Sequence, residues 1–266
     1  MRRRSPFPPL VIAGFACGIA ALLFFFVRPE ISVVVLSGFV AACLAAPFFP
    51  QAGLFFPVTS HGSRDGKDVA ITFDDGPHPL TTPHLLKLLA RRKIRATFFV
   101  VGRNAAQHPG LVKDILEAGH CVGNHTFGHD VFVMMKPGKK LAREIDAAQR
   151  ILEGFGIRPL AFRPPAGVVN PGLGPLLAER EMTCIHYSCR GPDMGNRRIR
   201  GLAGRILRKI RPGDILLLHD SCPDARHFNT GQWLGEIERI LDGISEKGLR
   251  VVPLSELIGR PVMVEK

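Results

Sequence analysis

Two long apolar segments begin the chain, and no later part of it resembles them. Residues 10–27 and residues 31–49 contain no charged side chain, and Arg28-Pro29-Glu30 separates them. A helix of about 20 apolar residues crosses the hydrocarbon core of a bilayer, whereas a helix on the surface of a soluble protein keeps a polar face. The pattern therefore predicts two transmembrane helices and assigns residues 1–49 to a membrane anchor.

Three alternatives to two membrane spans are consistent with the apolar pattern. Arg2-Arg3-Arg4 resembles the basic start of a cleaved signal peptide, and Val40-Ala41-Ala42-Cys43 resembles a lipoprotein processing box. A hairpin buried in a soluble protein is the third alternative. Two apolar runs in succession exceed what a signal peptide needs, and the processing box comes late, so two spans are favoured.

The arginines at the N-terminus bear on the orientation of the anchor. Basic residues favour the cytoplasmic side of a membrane, which keeps the N-terminus there. A second span returns the chain to the same side, so the large domain is predicted at the cytoplasmic face. A single span would reverse this placement.

The remainder of the chain alternates between short apolar runs and amphipathic stretches. Residues 50–66 are interrupted by proline and glycine and are predicted to form a linker. Strands are predicted over residues 69–73, 96–101, 121–124, 160–162, 183–187, 214–218 and 250–252. Helices are predicted over residues 82–92, 109–118, 139–155, 172–180, 199–210 and 233–245.

Strict alternation of apolar strands and helices predicts an α/β fold with a parallel sheet covered by helices. About seven strands suit a distorted or incomplete (β/α) barrel, which we expect over residues 67–260. An open doubly wound sheet is the alternative. No glycine-rich dinucleotide loop follows the first predicted strand, which counts against that alternative.

The net charge of +12 adds one expectation about partners. A basic domain beside a membrane indicates attraction to anionic headgroups or to an anionic glycolipid, with generic solubilising charge as the alternative. One tryptophan and one tyrosine leave few aromatic platforms for stacking bases, so nucleic-acid binding is disfavoured.

Polar and charged side chains collect at the carboxyl ends of the predicted strands. They are Asp74 and Asp75 after the first strand, His125 and His129 after the third, Arg163 after the fourth, Asp193 after the fifth and His219 at the end of the sixth. A single aspartate after a strand is usually a turn former. The carboxyl ends of barrel strands meet at one rim, however, and barrel enzymes keep their active sites there.

Three of these residues form a metal-binding pattern. His125 and His129 are four residues apart, so one helical turn would direct both at a single ion. Asp75 adds a carboxylate. Two histidines and one carboxylate suit a catalytic Zn²⁺ with an open position for water, and Co²⁺, Ni²⁺ or Mn²⁺ are alternatives.

Four motifs carry a resemblance to a known family. They are Thr72-Phe73-Asp74-Asp75-Gly76-Pro77, His125-Thr126-Phe127-Gly128-His129, Arg163-Pro164-Pro165-Ala166-Gly167 and Leu216-Leu217-Leu218-His219. In this order they resemble the motifs of NodB-type polysaccharide deacetylases, the family 4 carbohydrate esterases. The likeness covers roughly residues 65–258, and the apolar hairpin lies outside it.

The resemblance implies a role for each residue at the predicted rim. Asp74 would be the general base, and Asp75, His125 and His129 would be the metal ligands. Arg163 would orient Asp74 and keep its carboxylate ionised. His219 would be the general acid, and Asp193 would pair with it and raise its pKa.

The resemblance also implies an oxyanion donor and shows two departures from the family. The backbone N–H that follows Pro165, at Ala166, would bind the developing oxyanion. The family often has an aromatic residue in place of Ala166, which leaves room for a wider groove here. It often has Asp-Trp where this chain reads Asp193-Met194, so Met194 is predicted to take the place of tryptophan in the acyl pocket.

The function that these features predict is metal-dependent removal of an N-acetyl group from amino sugars of a polysaccharide or glycoconjugate. One alternative is a deacylase or deformylase of a lipid-linked sugar at the membrane. The other is a non-catalytic carbohydrate-binding protein, which is disfavoured because the base, the ligands and the acid are all present.

Overall fold

A helical hairpin comes first in the computed structural model, which describes residues 7–136 and 138–266. Helix α1 (Pro9–Phe25) and helix α2 (Pro29–Ala45) pack antiparallel, and the Ser32 hydroxyl of α2 donates a hydrogen bond of 2.6 Å to the Ala21 carbonyl of α1. Most side chains of both helices are exposed. Arg2, Arg3 and Arg4, on which the predicted orientation depends, lie outside the described residues.

One of the two helices meets the length of a membrane span. Within the described residues, Pro29–Phe48 is long and apolar enough, with a mean hydropathy of 2.3, whereas α1 has only 17 residues. Only 11% of the apolar window in Pro29–Phe48 is buried. A membrane anchor and a signal sequence both meet this description, so the finding gives the predicted pair of spans weak support.

The part of the chain that follows the hairpin is built on a curved sheet. Its strands, with a small separate pair, are β1 (Asp68–Asp74), β2 (Thr97–Val100), β3 (Cys121–Asn124), β4 (Ile157–Pro159), β5 (Ala161–Phe162), β6 (Thr183–Cys184), β7 (Cys189–Arg190), β8 (Ile215–His219), β9 (Arg250–Val251) and β10 (Met263–Glu265). Seven parallel strands follow the order β6-β5-β3-β2-β1-β8-β7, and β9 pairs with the start of β1. The predicted incomplete barrel is confirmed.

Each predicted strand is present, but three observed strands were not predicted. Strand β7 has two residues, and β4 pairs antiparallel with β10 in a separate two-stranded sheet. Strands β5 and β6 are also only two residues long, shorter than the apolar runs that predicted them.

Helices cover the sheet and enclose the core. They are α3 (Thr82–Arg91), α4 (Gly102–Gln107), α5 (Pro109–Glu117), α6 (Gly138–Glu153), α7 (Leu173–Ala178), α8 (Leu202–Leu207), α9 (Thr230–Glu246) and α10 (Leu254–Ile258). Phe73 of β1 stacks on Phe98 of β2 with ring centroids 5.3 Å apart, and Trp233 of α9 is 1% exposed. Trp233 is therefore a core residue.

Helix α8 is much shorter than the predicted helix over residues 199–210. Gly201, immediately before α8, has a φ of 70°, a left-handed conformation that suits glycine. The Glu236 carboxylate accepts hydrogen bonds from the N–H groups of Gly201 and Ala203, each at 2.8 Å. Those bonds satisfy backbone donors at the start of α8 and set where it begins.

The chain between α2 and β1 lies on the domain along much of its length. The Pro47 carbonyl accepts a hydrogen bond of 3.1 Å from the Val169 N–H, and the Gln51 carboxamide donates one of 2.8 Å to the Tyr187 carbonyl. Further along, Thr59 forms a parallel bridge with Ile185. The hairpin is thus joined to the domain by a short, hydrogen-bonded connection.

Candidate active site

The two aspartates after the first apolar run come at the end of the central strand. Asp74 is the last residue of β1 and pairs in register with His219 of β8 on one side and Phe99 of β2 on the other. Asp75 has a φ of 72°, a conformation that non-glycine residues seldom adopt. The turn directs consecutive carboxylates into the same rim.

Asp75, His125 and His129 form a compact cluster of potential ligands. Their donor atoms all lie within 4.8 Å of one another. One oxygen of Asp75, Oδ1, is 3.4 Å from His125 Nε2 and 3.0 Å from His129 Nε2. The structure therefore brings the three predicted ligands together.

The path between the two histidines differs from the prediction. Residues 125–129 form a loop, and the helical turn predicted there is wrong. Thr126 has a φ of 63° and His129 a φ of 52°, so the backbone reverses within a few residues. Asn124 Oδ1 accepts from the Thr126 N–H and Glu144 Oε2 from the Gly128 N–H, at 2.9 and 2.7 Å. These bonds hold the loop in the shape that pairs the histidines.

His125 is oriented by a backbone partner behind it. Its Nδ1 lies 2.7 Å from the Arg163 carbonyl oxygen, to which it donates. The imidazole thereby turns its Nε2 toward Asp75. A metal-binding histidine usually donates its second nitrogen to an acceptor in this way.

The charges within the cluster stabilise one another. Burial opposes ionisation of Asp75, but hydrogen bonds from His125 and His129 outweigh it and hold the pKa of Asp75 well below its usual value. Burial also lowers the pKa of His129, whereas its hydrogen bond to Asp75 raises that pKa, and the net shift is upward. The site therefore presents a carboxylate that remains charged.

The donor set of this cluster fits a divalent metal ion. Two imidazole nitrogens and one carboxylate oxygen are the ligands of many catalytic zinc sites and of several other divalent transition metals. His129 is about one quarter exposed, so the cluster opens to solvent on one side. An ion held there by Asp75, His125 and His129 would keep positions for water and substrate.

Asp74 is held by the buried guanidinium of Arg163. Arg163 Nη1 donates to Asp74 Oδ1 at 2.7 Å and to the Thr72 hydroxyl at 2.7 Å. The other carboxylate oxygen, Asp74 Oδ2, lies 3.9 Å from His125 Nε2. One oxygen of Asp74 is therefore fixed by arginine while the second faces the ligand cluster.

His219 and Asp193 form a second pair at the rim. His219 Nδ1 lies 2.8 Å from Asp193 Oδ2, and Asp193 is 3% exposed. Burial lowers the pKa of His219, but the hydrogen bond and charge of Asp193 outweigh it and raise that pKa to about 9. The Asn196 carboxamide donates to the His219 carbonyl at 2.9 Å, which fixes the backbone at this position.

The loop after β5 carries the predicted oxyanion donor. Pro165 to Gly167 form a single 3₁₀ turn in which Ala166 is exposed and has a φ of 55°.

Met194, predicted to fill an acyl pocket, is instead 57% exposed with a φ of 52°. Its packing role is not seen in this conformation of the protein.

Some residues around the site were not predicted from the sequence. Thr72 and Asn196 support Arg163 and His219 as described, and Asp220 accepts a hydrogen bond of 2.6 Å from the Thr82 hydroxyl. Complete burial raises the pKa of Asp220 to about 6. The position of Asp220 directly after His219 is the one sequence signal that would have drawn attention to it.

Comparisons with known proteins find relatives of this chain in both sequence and fold. Residues 61–185 match the family model described as polysaccharide deacetylase. A peptidoglycan-N-acetylglucosamine deacetylase of Bacillus cereus is 34% identical over 76% of this chain and 92% of its own length. A chitooligosaccharide deacetylase of Azorhizobium caulinodans is 31% identical over 72% of this chain and 95% of its own length.

Among solved structures, the Bc1960 peptidoglycan N-acetylglucosamine deacetylase superposes with a TM-score of 0.70 at 26% identity. The match covers 77% of this chain and 94% of that one. On fold, sequence and the order of its motifs, this chain belongs to the NodB-type polysaccharide deacetylases, carbohydrate esterase family 4.

Proposed function

We propose that this protein is a metal-dependent hydrolase that removes the N-acetyl group from amino sugars of a polysaccharide or glycoconjugate, with Zn²⁺ as the ion that the site suits best. One observation carries the proposal. A three-ligand cluster, an arginine-held aspartate and an aspartate-held histidine lie together at one rim. The relatives named above are deacetylases of peptidoglycan and of chitooligosaccharides.

Amide hydrolysis requires a nucleophile, stabilisation of the oxyanion and a proton for the departing nitrogen. A divalent cation, when bound, supplies a Lewis acid that polarises the amide carbonyl and acidifies a water. Asp75, His125 and His129 would hold it. Asp74 would take the proton from the attacking water through Oδ2, because Oδ1 is already bonded to Arg163.

His219 would supply the proton to the leaving amine. Its Nδ1 is engaged by Asp193, so Nε2 is the nitrogen left to face the substrate. A raised pKa keeps His219 protonated at neutral pH, as a general acid requires. The Ala166 N–H would donate to the oxyanion from the exposed turn after Pro165.

The test is acetate release from a chitooligosaccharide by the purified full-length protein. We expect turnover that a chelator abolishes and that added Zn²⁺ restores. Asp74→Asn should lower kcat by about 10²- to 10⁴-fold because it removes the general base. Asp114→Asn on α5, an exposed aspartate far from the rim, serves as the matched control and should leave kcat unchanged.

Two outcomes would contradict the proposal. Tight binding of the oligosaccharide by metal-loaded protein without acetate release would indicate a carbohydrate-binding protein. Full activity in the presence of a chelator, or full activity of Asp74→Asn, would show that other residues carry the reaction.

A further inference from the structure

The end of the hairpin meets the domain at the active-site face. The Val169 N–H, which donates to the Pro47 carbonyl, follows the turn that contains Ala166. Tyr187, whose carbonyl accepts from Gln51, follows the carboxyl end of β6. Both contacts are therefore made on the side of the sheet where the candidate ligands lie.

A groove lies between the connection that follows α2 and the domain. It has a volume of about 490 Å³, and its walls include Phe48, Phe49, Gln51, His186, Tyr187 and Arg190. Phe48 is 68% exposed and Phe49 is 62% exposed, although both are large apolar residues. One wall is thus apolar and continuous with the end of α2, and the other carries a cation.

Arg190 is the cation of this junction groove. Its guanidinium lies 5.3 Å from the centroid of the Tyr187 ring. Within residues 7–136 and 138–266, no carboxylate forms an ion pair with Arg190, and its side chain is exposed. An arginine in this state presents a fork of donors that matches a phosphate group.

Tyr187 is shared between the junction groove and the candidate active site. Its ring centroid is 6.0 Å from the guanidinium of Arg163, which holds Asp74. Its hydroxyl oxygen lies 3.3 Å from the position that a Cβ on Gly167 would take. The wall of the groove is therefore connected to Asp74 through the Tyr187 ring and the buried Arg163 guanidinium.

Other apolar side chains continue the face around the rim. The Asn170 carboxamide donates to the Met134 carbonyl at 2.7 Å, which joins the loop after His129 to the segment that contacts Pro47. On this loop Phe132 is 63% exposed and Met135 is 82% exposed. Large apolar side chains exposed beside a membrane helix are suited to contact a bilayer.

We propose, on the basis of the deacetylase function proposed above, that the substrate is a glycolipid embedded in the membrane, in which an N-acetylated amino sugar is linked to a lipid through phosphate. The phosphate binds Arg190, the first part of the lipid lies against Phe48 and Phe49, and the acetamido group reaches the ligand cluster. The phosphate and the acetamido group of such a sugar are on adjacent carbons.

The experiment compares two substrates of full-length, Zn²⁺-loaded protein in phosphatidylcholine vesicles. One is N-acetylglucosamine linked through diphosphate to a polyprenyl lipid, and the other is a soluble chitooligosaccharide. Arg190→Gln should raise KM for the lipid-linked probe by about 10-fold, the loss of one charged hydrogen-bonding group. It should leave kinetics on the soluble probe unchanged, and Arg190→Lys should restore part of the loss.

Arg91→Gln, an exposed arginine at the end of α3, is the matched control and should change neither substrate. An unchanged KM for the lipid-linked probe in Arg190→Gln overturns the inference, as does an equal loss on both probes. An effect seen only when phosphatidylglycerol is added to the vesicles assigns Arg190 to bilayer headgroups and also overturns it. Failure of wild-type protein on both probes contradicts the deacetylase function itself.

Discussion

Arg163 is 1% exposed, yet each of its guanidinium nitrogens has an acceptor. Nη1 donates to Asp74 and Thr72, Nε to the Ile185 carbonyl at 3.2 Å and Nη2 to the His186 carbonyl at 3.0 Å. The guanidinium carbon also lies 4.0 Å from the centroid of the Phe99 ring. A buried charge is tolerated only when it is paired and hydrogen-bonded in this way.

We expect Arg163→Lys to destabilise the protein and to reduce activity. Lysine cannot reach several acceptors in different directions, so buried carbonyls and the Thr72 hydroxyl lose donors. The free energy of unfolding should fall by about 2–4 kcal/mol, measured by urea denaturation. Arg143→Lys on the exposed side of α6 is the control and should stay within about 0.5 kcal/mol of wild type.

Asp193 should govern the alkaline limit of activity. Burial works against a charged His219, but Asp193 raises the pKa of His219 to about 9. The proposed general acid is therefore protonated below that pH and loses its proton as the pH rises through it. Asp193→Asn removes the negative charge and should move the alkaline fall in kcat to lower pH. An alkaline limb that stays in place would show that another group titrates there.

The sequence identified the side chains of the candidate site better than their supports. Asp75, His125 and His129 were recognisable because each follows an apolar run, and parallel strands place such positions on one rim. Asn196 and Thr72 gave no such signal. Their hydrogen bonds reach residues far away in the chain, and only the folded sheet determines which residues meet.

At the scale of elements, long periodic segments were predictable and short strands were not. The pattern of Leu141, Ile145 and Leu152 predicted α6, and all three are buried. Helix α4 has no comparable apolar period, and a Cβ on its Gly102 would come within 2.8 Å of the Ala148 Cα. The position of α4 is therefore determined by its close packing against α6 and not by a pattern in its own sequence. Strand β7 exists because β8 is beside it.

The connection between α5 and β3 contains a buried histidine that should make stability depend on pH. His120 Nδ1 accepts a hydrogen bond of 3.1 Å from the Ala96 N–H. Burial, assisted by the charge of Arg95, lowers the pKa of His120 to about 4 from 6.5. As the pH falls, His120 is protonated in the unfolded chain before it is protonated in the folded protein. The contribution of neutral His120 to the free energy of unfolding is therefore complete above pH 6.5 and is lost as the pH falls toward 4.

We expect His120→Asn to reduce this acid dependence, since asparagine retains an acceptor near the Ala96 N–H but does not titrate. The free energy of unfolding, compared at about pH 7 and about pH 5, should change less in the variant than in wild type. Exposed His84→Asn is the control and should keep the wild-type dependence. An equal change in the free energy of unfolding between the two pH values for wild type and His120→Asn would contradict the assignment of this pH dependence to His120.

At the scale of the whole molecule, the hairpin makes a prediction about topology. Helices α1 and α2 run antiparallel, and Leu10 near the start of α1 donates its N–H to the Leu54 carbonyl beyond the end of α2. The charged turn at Arg28 and Glu30 is at the opposite end of the hairpin, where both side chains are more than 60% exposed. Charges at a helix turn suit the far interface of a bilayer.

A protease site placed at the N-terminus and one placed at the C-terminus should therefore be cleaved from the same side of sealed membrane vesicles. A site inserted between Arg28 and Pro29 should be cleaved only from the other side. Cleavage of both termini and of the insertion from one side would show that the hairpin does not cross the bilayer. The apolar pattern predicted two helices and a return of the chain to its starting side, and the antiparallel hairpin has the geometry that such a return requires.

The connection from Pro47 to Gln51 has one more consequence. Hydrogen bonds hold this connection against the domain immediately beyond the apolar helix. If the hairpin is inserted in a bilayer, the domain therefore stays close to the lipid surface. Encounters with the proposed lipid-linked substrate would then be confined to lateral diffusion in two dimensions. Reaction velocity should follow the mole fraction of substrate in the lipid and should fall when inert lipid dilutes that surface, even at constant bulk concentration.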